Sequence, residues 1–565
     1  MLDFHSWLKK PFDEKTQFKV KELRKNPAEL KDSFNKNIEF GTGGMRGIMG
    51  VGTNRINKYT IGRNTQGISN YLNKKYNETN IKAIVAYDSR KNSKKFARIV
   101  ANIFSANNIE CLLFSELRPT PELSFAVRYY KAQCGIVITA SHNPPKYNGY
   151  KVYLEDGGQL TPPKDEIIIK EINKINFNDI LFKSNPLKLK YIDSEIDREY
   201  FKVILSLVKF NSEKIKNYMI VFTPLHGSSI KAIPEVLKLA GYKKINIVKE
   251  QSMPDGNFPT VKSPNPEDKE ALLMAIDKAK KIKADIVIGT DPDSDRLGIA
   301  VLSHENKWEI LNGNQIMTIM IDFLLSKYIK EKSPIGNEFI ASTIVSSPLI
   351  KLIANDYKFK YKETLTGFKW IGKLINDNPN DKFIAGGEES LGFLVGDKIR
   401  DKDAVLSTLL ACEIGYLAKK KNKMFFDLLI DCYKKYGFFL EELVSFTKEG
   451  QSGVKFINNT IKKYRNNPPN QIAGIKVIFF EDYSKSIKHN LISNKIIKIK
   501  LPKSNVIIFR LEDDSMIAIR PSGTEPKIKF YISVNDKFDS NKSWISQKRI
   551  LEKKIEIIKN EFIKV

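Results

Sequence analysis

At 565 residues the chain exceeds what one hydrophobic core serves, and a prior of about 150 residues per domain suggests three or four domains. A hydrophobic content of 42% with 28% charged residues is an ordinary globular balance, and no run of about 18 apolar residues appears, so no transmembrane helix and no membrane partner are expected. The net charge of +28 comes from lysines spread over the whole chain, which argues against a nucleic-acid binder with its clustered basic patch and for attraction of small anions.

The opening MLDFHSWLKKPFDEKTQ lacks the apolar core of a signal peptide and carries acidic residues that transit peptides avoid, so a cytoplasmic protein is expected. Further on, IKAIVAYDSR reads as a strand ending at a polar turn, and SKKFARIVANIFSA as an amphipathic helix capped by Ser93. CLLF and CGIVITA are further strands, with a helix over PTPELSFAVRYYKA between them. This βαβ alternation predicts a buried, mostly parallel sheet. The pattern restarts with YMIVFTPLHGSS, the helix IKAIPEVLKLAG, the strand INIV, a helix around EDKEALLMAIDKAKK and the strand ADIVIGTD. A third cycle holds EFIASTIVSS, FKYKETLTGFKWIG and KFIAGGEESLGF, then the helix DAVLSTLLACEIGYLAKK. From about residue 450 the strands GIKVIFF, NVIIFRL and MIAIR, with helices at each end, predict an α+β domain with antiparallel sheet. The expected fold is α/β: three similar domains with mixed or parallel sheets plus a C-terminal α+β domain, divided at 1–205, 206–310, 311–445 and 446–565. Cys111, Cys134, Cys412 and Cys432 stand far apart without a C-x-x-C pair and read as buried free thiols.

Each unit carries one loop that could bear chemistry, and in open α/β sheets ligands bind beyond the carboxyl ends of strands. In TASHNPPKYNGY, Ser141 lies just past the strand GIVIT, and Pro144 and Pro145 stiffen the chain beyond it. A nucleophile elbow needs G-x-S-x-G, which is missing here, and a neighbouring histidine in extended chain points to the opposite side. A serine hydrolase is therefore not expected; a turn-capping serine is the plainer reading of this motif alone. In GTDPDSDRLG, Asp291, Asp293 and Asp295 alternate, so a nearly extended loop could bring their carboxylates onto one hard cation such as Mg²⁺. An EF-hand is excluded, because its sixth and twelfth positions hold Arg296 and Leu302, and an ordinary acidic turn is the plain alternative. In GGEESLGF, Glu388 and Ser390 suit sugar hydroxyls, though a polar turn explains them equally well. In IRPSGTEPKIKFY, Arg520, Ser522, Gly523 and Thr524 offer a guanidinium fork, hydroxyls and backbone N–H groups suited to a phosphate dianion, or else a hairpin turn. No Walker loop is present.

In this order, from FGTGGMRG to RPSGTEPK, the four loops resemble the α-D-phosphohexomutase superfamily, and the GTGGMRGIMGVGTNRIN stretch looks most like a bacterial branch of its phosphoglucomutases. The resemblance implies four domains around a central cleft. It implies that Ser141 is a phosphoserine, that Asp291, Asp293 and Asp295 hold Mg²⁺ together with a phosphoserine oxygen, and that Arg296 assists transfer or touches the sugar. Glu388 and Ser390, with Thr366 and Gly367 of LTGFKW, match the readers of sugar hydroxyls. Arg520, Ser522, Gly523 and Thr524 match the site of the phosphate that is not transferred. Lys151 matches a general acid/base, Arg46 a basic residue near the phosphoserine, and His142 is a second candidate for proton transfer. Where some relatives that accept both glucose and mannose phosphates carry a histidine, this chain has Phe393. The implied activity is interconversion of α-glucose 1-phosphate and glucose 6-phosphate through bound glucose 1,6-bisphosphate, by a monomer or small homo-oligomer acting on sugar phosphates. A phosphomannomutase or phosphopentomutase is the alternative within the fold. A phosphatase or bisphosphate synthase with the same loops, and a basic nucleic-acid binder, are the rivals outside it.

Overall fold

The β-branched runs and the amphipathic segments between them form alternating strands and helices in a computed structural model, which describes residues 4–41, 43–77, 80–210, 215–447, 450–522 and 527–563. The chain divides into two compact units, residues 1–313 with 368–425, and residues 314–367 with 426–565.

The first unit opens on β1 (Gly44–Ile48), α1 (Lys58–Lys75), β2 (Lys82–Tyr87), α2 (Ser93–Ala106), β3 (Glu110–Phe114), α3 (Thr120–Tyr129), β4 (Cys134–Ile138), β5 (Tyr147–Leu154) and β6 (Leu189–Ile192). The sheet runs β1-β5-β4-β2-β3-β6, parallel from β4 through β6, with β5 and β1 antiparallel. Helices cover both faces, so β2 and β4 are buried along nearly their whole length and read as continuous apolar runs. Phe96, Val100 and Phe104, at helical spacing on α2, pack with Val85, Leu113 and Ile136 in one core. Ser93 is not the cap of α2. Asn92 holds the cap position at φ 64° without a side-chain cap bond, and the Ser93 hydroxyl donates 2.7 Å to Asp88 Oδ1.

A second sheet follows from β7 (Ile215–Thr223), α4 (Ser229–Leu239), β8 (Tyr242–Ile247), α5 (Lys269–Ile282), β9 (Ile286–Thr290), β10 (Leu297–Leu302) and β11 (Trp308–Leu311). Its order is β11-β10-β9-β7-β8, parallel across β8, β7 and β9 and antiparallel beyond. In the second unit, β12 (Glu338–Thr343) pairs in parallel with β13 (Lys360–Thr364). The first unit then resumes with an antiparallel pair, β14 (Lys382–Gly387) and β15 (Phe393–Val395), and α6 (Ala404–Lys419), whose N-terminal N–H groups at Val405 and Leu406 donate to Asp403.

The end of the second unit is β16 (Phe438–Thr447), α7 (Gly450–Asn466), β17 (Ile475–Asp482), β18 (Ile487–Asn490), β19 (Ile496–Lys498), β20 (Ile507–Leu511), β21 (Met516–Pro521), β22 (Lys527–Asp536) and α8 (Trp544–Phe562). The strands run β16-β22-β21-β20-β17-β18-β19 and every one of these pairings is antiparallel, with a helix at each end as the sequence suggests. The four cysteines are free and buried, as expected. Among the described residues no helix is long and apolar enough to cross a membrane.

The mostly parallel expectation needs one amendment. β4, β9 and β14 are each followed by a strand that doubles back antiparallel, so the sheets are mixed. The three turns between these strands are the loops 139–146, 291–296 and 388–392, each anchored to a strand at both ends.

Candidate active site

Ser141 sits three residues past the end of β4, 2% exposed, with φ 50° in the left-handed region. Its N–H donates 2.8 Å to Thr139 Oγ1, whose hydroxyl donates 2.7 Å to Asp88 Oδ2. Its Oγ donates 2.6 Å to Asp291 Oδ2 and lies 3.2 Å from His142 Nδ1. The expectation that Ser141 and His142 point apart therefore fails. It assumed extended backbone, and the positive φ turns both side chains to one side. Burial, with the Arg296 and Arg46 charges nearby, pushes the His142 pKa well down, so its imidazole is neutral. Arg46, on β1, donates 2.8 Å to Asn143 Oδ1 of the same loop.

Asp291, Asp293 and Asp295 lie in the turn between β9 and β10, almost completely buried. The loop is not extended: Ser294 takes φ 59° and its N–H donates 3.0 Å to the Asp291 carbonyl. That turn gathers the carboxylates, with one oxygen from each lying within 4.8 Å of the others. Asp295 and Arg296 N–H groups donate to Asp291 Oδ1 at 3.0 and 3.1 Å. Lys151, carried by β5, donates 2.7 Å to Asp293 Oδ2 and 2.9 Å to Asp295 Oδ2. Lys402 Nζ lies 3.0 Å from Asp295 Oδ2, and Arg296 Nε lies 4.0 and 3.9 Å from Asp291 Oδ2 and Asp295 Oδ1.

Three carboxylates thus face three cations. Burial and mutual repulsion raise the Asp291 pKa, whereas for Asp295 the attraction of Lys151, Lys402 and Arg296 overcomes burial and holds the pKa down. Burial alone would lower the Lys151 pKa, but Asp293 and Asp295 reverse the shift and keep the ammonium charged. Two buried oxygens, Asp293 Oδ1 and Asp295 Oδ1, accept no hydrogen bond among the described residues. Hard, anionic, partly unpartnered oxygens of this kind fit a hard divalent cation.

Glu388, at the end of β14, is buried, and its N–H donates 2.8 Å to the Gly392 carbonyl. A side chain at Gly392 would run into Lys402 and stand 3.3 Å from Glu388 Oε2, which places these two residues side by side. Main-chain bonds from Leu297 to Leu391 and from Ala404 to Ser294 dock this loop and the start of α6 onto the aspartate loop. Ser390 lies in the same turn, half-buried. The structure thus brings together Arg46, Ser141, His142, Lys151, Asp291, Asp293, Asp295, Arg296 and Glu388.

The remaining expected residues belong to the second unit. Thr366 and Gly367 follow β13, and the Thr366 hydroxyl is buried without a hydrogen-bond partner among the described residues. Arg520 and Ser522 stand at the end of β21, where the Ser522 N–H donates 2.7 Å to the Lys527 carbonyl; Gly523 and Thr524 lie outside the described residues.

Two parts of the site were missed by sequence reasoning. Lys402 lies in IRDKDAV, which reads as a charged helix start. Asp88 and Arg90 lie in AYDSR just beyond β2, and an acid and a base flanking a strand's carboxyl end was the available signal.

Models of the phosphoglucomutase/phosphomannomutase alpha/beta/alpha domains I, II and III match residues 37–179, 198–303 and 312–436 in succession. A phosphoglucomutase of Staphylococcus epidermidis is 38% identical over 519 residues, covering 90% of this chain and 93% of the relative. Among solved structures, a putative phosphomannomutase from Thermus thermophilus shares the fold with a TM-score of 0.66 at 18% identity, over 92% of this chain and 99% of its own. The N-acetylphosphoglucosamine mutase of Aspergillus fumigatus, solved with GlcNAc-6P and magnesium, has a TM-score of 0.51 at 12% identity, over 92% and 96%. With three domains matched in order and nine-tenths of its length aligned to a 38% identical relative, the chain belongs to the phosphoglucomutase/phosphomannomutase family of enzymes.

Proposed function

We propose that this enzyme interconverts α-glucose 1-phosphate and glucose 6-phosphate, with Ser141 as the phosphoryl carrier and glucose 1,6-bisphosphate as the bound intermediate. The observation that carries the reading is the Ser141 hydroxyl, at a strand end, donating to one of three buried aspartates whose neighbouring oxygens lack donors among the described residues. The phosphoglucomutase identity of the Staphylococcus relative supports glucose as the sugar. Mg²⁺ is the cation this reading assigns to Asp291, Asp293, Asp295 and a phosphoserine oxygen, and the Aspergillus neighbour was solved with that ion. When bound it would offset phosphate charge and polarise the P–O bond.

The residues divide the remaining work. Phosphoryl transfer depends on positioning and charge neutralisation, so Arg46, bonded to the Ser141 loop, and Arg296, beside Asp291, supply positive charge near the transferred group. A sugar hydroxyl attacks phosphorus as the bond from phosphorus to Ser141 Oγ breaks, and the proton it loses replaces the one that Lys151 gives to the freed Oγ. The intermediate then turns over, and its other phosphate returns to Ser141. Lys151 is charged and serves as the proton donor to the oxygen that loses phosphorus. Neutral His142, with Nδ1 3.2 Å from Oγ, is placed to take the Ser141 proton on the return step. Glu388, Ser390, Thr366 and Gly367 are assigned to the sugar hydroxyls, and Arg520, Ser522, Gly523 and Thr524 to the phosphate that stays in place. Burial of Ser141 keeps water from competing as the acceptor. The four-domain division and a cytoplasmic location belong to the same reading.

Intact-mass analysis should find one phosphate, about 80 Da, that is absent from Ser141→Ala. Parallel assays with glucose, mannose and ribose 1-phosphates should show fastest turnover of glucose 1-phosphate. Turnover of ribose or mannose 1-phosphate with failure on glucose 1-phosphate would overturn the sugar assignment, and steady release of inorganic phosphate would mark a phosphatase.

A further inference from the structure

The geometry points to Arg90 as the positioning residue that, paired with Asp88, holds the Ser141 loop in its transfer-competent shape. The inference rests on Ser141 being the phosphoryl carrier. Arg90 carries a wholly buried guanidinium just past β2, with Nε 3.4 Å from Asp88 Oδ2 and neither side chain exposed. Its Nη1 donates to the carbonyls of Pro144 at 3.0 Å and Tyr147 at 3.2 Å, and its Nη2 to the carbonyls of Ser141 and Asn143. One cation thus gathers four carbonyls of a seven-residue segment that has no regular secondary structure of its own until β5 begins.

Asp88 completes the device from the other side. It accepts from the Thr139 hydroxyl at 2.7 Å, and that hydroxyl accepts the Ser141 N–H. Both main-chain polar atoms of Ser141 are therefore tied to the Asp88–Arg90 pair, one directly and one through Thr139. A serine at φ 50° is held against the ordinary preference for negative φ, and fixed partners on both sides of the residue supply the restraint. The pair is itself locked. Asp88 Oδ1 accepts from Ser93 Oγ and from the Arg90 N–H, and the Phe258 ring covers the guanidinium at 5.0 Å. Phe258 belongs to a loop of the second sheet's domain, and a side chain at Gly256 of that loop would strike the main chain of Arg90 and Lys91, so the cover is close-fitting.

Arg90 donates to main-chain carbonyls, and its assigned part is the aim of Oγ. A lysine has the charge but not the planar fork that reaches several carbonyls at once. Misplacement of a reacting atom by about 1 Å is enough for a loss on the order of 100-fold in rate. Arg90→Gln and Arg90→Lys should thus lower kcat about 100-fold and at least 10-fold, respectively, with KM for glucose 1-phosphate within about threefold, since the sugar contacts lie elsewhere. Rapid-quench measurement of phosphoryl transfer from phosphorylated enzyme to sugar should show the same loss, which a purely structural role would leave untouched. If Arg90→Gln does not fold, Arg90→Lys alone decides. A folded variant with kcat within threefold of wild type, or a loss carried by KM alone, overturns the inference. Failure of the underlying reading is seen separately, as activity retained in Ser141→Ala.

Discussion

Replacing Lys151 with methionine should tighten divalent-cation binding while it stops turnover. The Lys151 ammonium is charged, nearly buried, and 2.7 and 2.9 Å from oxygens of Asp293 and Asp295, so its charge competes with a bound cation for the same two carboxylates. Two unit charges about 4 Å apart interact by about 4 kcal/mol at an effective dielectric of about 20. Lys402 and Arg296 remain beside the aspartates after the change, so only part of that sum is recovered. We expect cation affinity to rise about 10- to 100-fold, or about 1.4–2.7 kcal/mol. Without cation the variant leaves three buried carboxylates facing two positive charges, and its Tm should fall. Saturating MgCl₂ should then restore Tm by mass action, more so than in wild type. Methionine keeps the length and apolar stem of lysine, which limits packing effects. Titration calorimetry with MgCl₂ on dephosphorylated protein, paired with thermal scans at zero and saturating cation, measures both effects. Unchanged or weaker cation affinity in Lys151→Met would refute the competition, as would a Tm deficit that MgCl₂ leaves in place.

Burial lifts the Asp403 carboxyl to about 7, so between about 4 and 7 the native state holds a proton that the unfolded chain has lost, and stability falls as pH rises through that window. Asp403→Asn keeps the helix cap and removes the slope: from pH 5 to 8 wild type should lose up to about 3 kcal/mol more than the variant in urea unfolding, and equal slopes would count against it. Arg520→Ala should raise KM about 10- to 100-fold with kcat within a few-fold, as loss of uniform phosphate binding does; a fall in kcat at constant KM would contradict the assignment. Gly415 of α6 faces the Tyr218 hydroxyl so closely that an added methyl would overlap it. Gly415→Ala should lower stability by about 1–3 kcal/mol, and adding Tyr218→Phe, which removes a hydroxyl without a hydrogen-bond partner among the described residues, should return most of it in the same unfolding assay.

The parts of this fold legible in the sequence are those with a repeating signal. Short β-branched runs and period-3.6 apolar patterns marked β2, α2, β9, α5 and the strands β17, β20 and β21, and polar clusters just past strand ends marked the loops. The features that escaped were contacts made across long stretches of sequence. Lys151 and Lys402 come to Asp295 from strand β5 and the start of α6, and nothing local to either lysine announces the meeting. β5 itself was passed over because Asn148, Gly149 and Lys151 break its apolar pattern where the strand carries site residues. The adjacent Ser141 and His142 were judged by extended geometry, and one positive φ was enough to reverse that judgement.

That same φ has a consequence for the choice of amino acid. Threonine carries the same hydroxyl and accepts phosphate as readily in chemical terms, but a β-branched side chain at φ 50° collides with its own main chain. Serine is the smallest hydroxyl-bearing residue that can occupy this backbone. With Ser141 as the proposed phosphoryl carrier, its identity follows from torsional sterics, and a Ser141→Thr protein would be disabled through its backbone with its nucleophilic group intact.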